Sequence, residues 1–125
     1  MPRCHNHSMT DLSAEDKKLV TLARATRARI QAAEGAAVRD TDGRTYAAAT
    51  VDLPSLRLSA VQAVVAMAVA GGSSGVAACV VLGDAQELTE PDAAVLRDVA
   101  GPGGVTVHGG DARGTITMTD VMARS

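Results

Sequence analysis

The stretch "GAAVRDTDGRTYAAATVD", Gly35 to Asp52, decides how the rest of the chain is read. Asp42-Gly43 is a tight-turn signal, because glycine accepts the positive φ that a short hairpin loop demands. Runs rich in Ala, Val, Thr and Tyr flank it on both sides, so the stretch predicts a β-hairpin. Pro54 closes the second strand, since proline cannot donate to a ladder.

Upstream, the pattern is helical. Ser13 with Asp16 three residues on predicts a capping box, and Glu15 adds favourable negative charge in the first turn. Leu19, Leu22, Ala23, Thr26 and Ile30 recur at helical spacing, and Gly35 is the expected stop. Lys17, Lys18, Arg24, Arg27 and Arg29 alternate with these apolar positions and read as a solvated face. The opening "MPRCHNHS" reads as an unstructured leader. The flexible segment is taken as residues 1–12 and a single domain as 13–125. Cys4, His5 and His7 carry metal-capable atoms, but ordering a mobile tail opposes a site there, and none is expected.

Downstream, "SAVQAVVAMAVA" predicts a helix from Ser59 to Ala70, broken by "GGSSG". "VAACVVLG" is continuously apolar, as expected of a strand buried on both faces. "TEPDAAVLRDVA" is a second capped helix, with Thr89 as N-cap, Pro91 in the first turn and Asp92 three residues on. "VTVH" and "TITM" are two further strands, and "TDVMARS" is read as a last helical turn or a frayed end. The alternation implies a three-layer α/β/α architecture around a mixed five-stranded sheet.

Composition narrows the function. The 125 residues include no Phe or Trp and one Tyr, so Ala and Val must fill the core. A net charge of −2 exerts no general pull on nucleic acid or anionic membrane, and aromatic stacking platforms for RNA are missing. No apolar run is long enough to span a bilayer. Two cysteines, Cys4 and Cys79, form no disulfide framework and suit a reducing cytoplasm.

The element order and the hairpin, especially Gly35, Ala36, Ala37, Asp42, Gly43 and Tyr46, resemble the small homotetrameric cytidine deaminases. The resemblance covers about Leu19 to Val121. It implies a second strand ending in an Asn-x-Glu ribose motif, a helix opening Cys-Ala-Glu and a later Pro-Cys-x-x-Cys. It also implies a catalytic zinc, a proton-shuttling glutamate and a homo-oligomer, dimer or tetramer. Carried over residue by residue, Thr50-Val51-Asp52 replaces the ribose motif. Ser59 stands at the first ligand, Val61 at the shuttle, and Glu90 and Ala93 near the two cysteines. A hydroxyl, one carboxylate, an alanine and a valine do not make a hydrolytic zinc site. Catalytic residues, metal and cofactor are therefore all expected to be none.

Ser59 then reads as a helix N-cap, and Val61, Val64, Val65 and Ala68 as plain core. His108, ending a strand, reads as a solvated histidine, and Asp84 as a turn residue. Three functional readings follow. The first is a catalytically inactive member of the resembled family that works through self-assembly or a protein partner. The second is a nucleoside- or nucleobase-binding protein, or a divergent hydrolase, using a rebuilt pocket around Thr50, Asp52, Ser59 and Glu90, with Asp84 as a further candidate. The third, an RNA-associated protein, is disfavoured by the acidic balance.

Overall fold

A computed structural model describes residues 12–84 and 88–125. The elements are α1 (Ala14–Ile30), β1 (Glu34–Asp40), β2 (Thr45–Ala49), β3 (Val51–Leu53), β4 (Leu56–Leu58), α2 (Ala60–Ala70), β5 (Val76–Gly83), α3 (Glu90–Val99), β6 (Val105–Gly110) and β7 (Ile116–Met122). Five strands form one sheet in the order β2-β1-β5-β6-β7. Only β5 and β6 pair in parallel, across the α3 connection; the other neighbours are antiparallel, so the sheet is mixed. The leader residues Cys4, His5 and His7 lie outside the described residues.

The layers follow from strand alternation. Ala36 and Val38, Cys79 and Val81, and Val105 and Val107 point to one side, where they pack on α2 and Leu96 of α3. Ala37, Ala78, Val80 and Leu82 point to the other, against Leu19, Val20 and Ala23 of α1. The result is the three-layer α/β/α arrangement expected from the sequence. With small side chains throughout, helices come very close to the sheet. A Cβ built on Gly35 would stand 2.3 Å from the Ala23 carbonyl oxygen and 2.7 Å from Arg27 Cβ.

That contact corrects the role given to Gly35. It does not stop α1. The helix ends at Gln31, which turns left-handed at φ 53° and donates to the Ala28 and Arg27 carbonyls. Gly35 sits in β1 because no larger residue fits beneath α1. The apolar stripe is narrower than its spacing suggests: Leu19, Val20 and Ala23 are buried, whereas Leu22 and Ile30 are exposed.

The Asp42-Gly43 hairpin forms as expected, with Gly43 at φ 89° and Val38 paired with Tyr46. Its anchor is Asp40, a fully buried carboxylate. It accepts from the Asp42 and Arg44 amides, from Arg44 Nε and from Ser73 Oγ at 2.6 Å. Burial works to raise its pKa, but these donors outweigh that and hold it below the ordinary carboxylate value.

Two strand ends differ from expectation. The second strand stops at Ala49, and "VDLPSLRL" folds into its own two-stranded hairpin, β3–β4, with Pro54-Ser55 at the tip. The last segment is neither helical nor frayed, because β7 continues through Asp120 and Val121 to Met122, paired with Val105.

Candidate functional site

The N-terminal ends of α2 and α3 meet, and the side chains there are polar in an otherwise apolar layer. Ser59 is the N-cap of α2. Its Oγ accepts from the Gln62 amide at 3.0 Å, while Gln62 Oε1 accepts from the Ser59 amide at 2.9 Å, a complete capping box. The Ser59 hydroxyl proton is also used: it donates to Asp92 Oδ1 at 2.6 Å. Asp92 lies in the first turn of α3, where its amide donates to Thr89 Oγ1, and it is only 4% exposed. A carboxylate so buried is tolerable because a hydroxyl donor and a helix N-terminus both face it.

Glu34, the first residue of β1, joins the cluster from the sheet. The Ala60 amide, at the start of α2, works to lower its pKa. Burial and the neighbouring Asp92 charge nevertheless push its pKa above the ordinary value. Beneath them lies Cys79, whose thiol is pushed up to about 12 by complete burial and by the same Asp92 charge. At neutral pH it is a protonated, inert thiol.

The carried-over positions separate. Ser59, Val61 and Ala93 lie at the junction, the last two buried in the core. Glu90 does not join them: it is turned outward onto Arg97 at 2.8 Å, with its side chain 79% exposed. Asp92 takes the place beside Ser59 that Glu90 had been assigned. The signal was available in Pro91, since registering Pro-Cys-x-x-Cys on that proline puts Asp92 and Val95 at the cysteine positions. Nothing local marks Glu34, which reaches the cluster only through the sheet.

The residues at the ribose motif are engaged elsewhere. Thr50 clasps Glu34: its hydroxyl accepts from the Glu34 amide at 3.0 Å and donates to the Glu34 carbonyl at 3.3 Å. Asp52 lies on the β3–β4 hairpin, 81% exposed and 3.4 Å from Arg57 Nε. It is displaced because the sheet strand ends before it. Asp84 is exposed at the end of β5 and lines, with Glu90, an open groove of about 910 Å³ between α3 and β7. That groove is separate from the Ser59–Asp92 pair.

His108 corrects a second expectation. It is 3% exposed, not solvated. Nε2 lies 2.8 Å from Asp16 Oδ2 and Nδ1 lies 2.9 Å from Thr119 Oγ1, while Arg39 Nη1 donates to the other Asp16 oxygen at 2.9 Å. Burial raises the Asp16 pKa, but the bonds and charges of His108 and Arg39 prevail and hold it low. This explains why Asp16 completes no capping box: its amide donates to Ser13 Oγ, and its carboxylate reaches into the protein.

Among the described residues no group of three His, Cys, Asp or Glu is arranged to hold a metal ion, and no helix is long and apolar enough to cross a membrane. Comparison of the fold found cytidine deaminase from Burkholderia pseudomallei at TM-score 0.73 and 20% identity, covering 88% of this chain and 93% of that one. Cytidine deaminase from Mycobacterium leprae gives TM-score 0.65 and 21% identity, covering 86% and 94%. At such identities the likeness is one of fold. No curated protein matches the sequence. A protein-family model described as "Cytidine deaminase-like" matches residues 12–114, nearly the whole described chain, and the chain therefore belongs to the cytidine deaminase-like family.

Proposed function

We propose that this chain has kept the deaminase-like scaffold without zinc-dependent deamination, and that it works by assembling with itself or with a protein partner. The observation that carries this reading is the state of Ser59. Its oxygen caps α2 and its proton is held by Asp92, which fixes it as a neutral hydroxyl, a poor ligand for zinc. The donors around it are oxygens, whereas a hydrolytic zinc takes mainly imidazole or thiolate ligands and an open position for water. The thiol of Cys79, in the same core layer, is held protonated. Val61 is fully buried and has no proton to move. The residues do not fit zinc. A cytoplasmic setting suits a chain that carries a free buried thiol.

The test is the metal content of the purified chain, measured by inductively coupled plasma mass spectrometry, alongside turnover of cytidine. Zinc well below one equivalent and no turnover are expected. Stoichiometric zinc with turnover would overturn the proposal.

A second reading is favoured by one observation, the meeting of Glu34 and Asp92 at two helix N-termini. Two carboxyl groups there suit the N–H donors of a nucleobase, which is the nucleoside-binding or rebuilt-hydrolase alternative. A thermal-shift series with nucleosides and nucleobases decides it; a flat series at millimolar concentration removes it.

A further inference from the structure

We propose that the groove between β7 and α3 receives an extended segment of a partner protein, added to the sheet beside β7, in which a basic side chain is flanked by apolar ones at every second residue. This names the partner's chemistry within the assembly reading above and rests on it.

The main chain of β7 supplies the docking edge. β7 ends the sheet and is bonded to β6 on one side, so alternate N–H and C=O groups along its other side have no ladder partner among the described residues. Side-chain bonds show which ones. The Val121 amide donates to Asp120 Oδ1 at 2.9 Å, off the edge of the sheet, and a strand's period of two puts the Thr119 amide and carbonyl on the same free edge. The Thr119 hydroxyl turns to the α1 side, onto His108, yet Thr119 lines the groove on the α3 side. It therefore does so with its main chain. A strand edge with a groove beside it is where an extended peptide adds by main-chain bonds and is selected by the pockets under its alternate side chains.

Those pockets specify the occupant. Met118, Asp120 and Met122 share the groove face of β7. Met118 and Met122 are half-buried and pack on the core beside Leu88, and the flexible thioether of methionine adapts to varied apolar partners. Asp120 between them is exposed. The charged groups of the groove are Asp84, Glu90, Asp120 and Arg97, and Arg97 is already paired with Glu90 at 2.8 Å, so the surplus is negative. A strand laid along β7 sets its side chains about 5 Å from these. Apolar residues then meet Met118 and Met122, and a lysine or arginine meets Asp120, which releases the Val121 amide to the incoming main chain. The same charges disfavour a second copy here, because its own Asp120 would bring like charge to the edge.

The probe is a fluorescent, end-capped peptide reading Thr-Val-Thr-Lys-Thr-Val-Thr, followed by anisotropy with the full chain over about 1–500 μM. Saturable binding is expected, and at saturation the Thr119 amide should exchange with solvent at least ~10-fold more slowly by NMR. Glutamate in place of the central lysine should weaken binding by at least ~10-fold, and in Asp120→Lys that preference should reverse. Methylating every peptide nitrogen keeps the charge but removes the donors, and should abolish binding. Glu15→Lys, on α1, makes the same change in net charge and should alter nothing. Both substituted side chains are exposed, so the variants keep the fold, which circular dichroism checks. Flat anisotropy, equal affinity for the two peptides, or retained binding of the methylated one overturns the site. Thr119 protection that rises with the chain's own concentration, without peptide, assigns the edge to a second copy and also overturns it. Zinc and cytidine turnover measured on the same samples separate the two claims. A zinc-free chain that ignores the peptide loses this site and keeps the silent scaffold, whereas a zinc-loaded, active chain that binds it does the reverse.

Discussion

Ser59 shows how much one hydroxyl can hold in place. It accepts from Gln62 and donates to a buried carboxylate, so its removal costs a helix cap and strips Asp92 of a donor together. Ser59→Ala is expected to destabilise the chain by about 2 kcal/mol, read from urea melts, whereas Ser59→Thr keeps both bonds and loses much less. Equal losses for the two would mean that bulk, not hydrogen bonding, matters at this position. The cap was legible in the sequence because capping is decided within four residues. Asp92 was legible only as part of a second cap; its bond to Ser59 spans 33 positions, and no local pattern encodes that. His108 was misread for the same reason, because its partner Asp16 is 92 residues away.

At the scale of elements, the helices and strands of the sheet were readable because their apolar periods are local. Their ends were not. Gly35 looks like a helix terminator, yet it is the point where α1 crosses β1 with no room for a methyl group. Gly35→Ala must push the Ala23–Arg27 turn away from the sheet and should cost about 2 kcal/mol or more, measured as a fall in melting temperature. A neutral outcome would show that α1 can shift freely. The β3–β4 hairpin was hidden because Pro54 reads as the end of one strand, while here it stands in the turn between two short ones. Asp52 left the site with it.

For the whole molecule, the buried carboxylates set the response to pH. Asp16 and Asp40 are held below their ordinary values, so their stabilisation is complete above the unfolded-state value and is lost as pH falls through the lowered one. Glu34 is raised, so the fold binds its proton more tightly than the unfolded chain does, and its contribution declines as pH rises from the ordinary value through the raised one. Urea melts between neutral pH and about pH 3 should therefore show a steep acid limb. In Asp16→Asn that limb flattens, and the stability gap to wild type closes as pH falls. Glu34→Gln gains stability at neutral pH and not in acid. An acid limb unchanged in Asp16→Asn would remove the Asp16–His108–Arg39 cluster from this account.

The sequence by itself determined the layered α/β architecture, the Asp42-Gly43 turn, the caps of three helices and the lack of zinc-type donors at Ser59 and Val61. Each of these is a matter of residue type or of spacing within a few positions. Only the tertiary structure decided which carboxylate faces Ser59, that Glu34 joins it, that His108 is buried, and that β7 ends the sheet beside an open groove. These depend on which strand neighbours which and on how closely helices of small residues settle on the sheet. The chain meets itself there across tens of residues, beyond the reach of any periodicity along it.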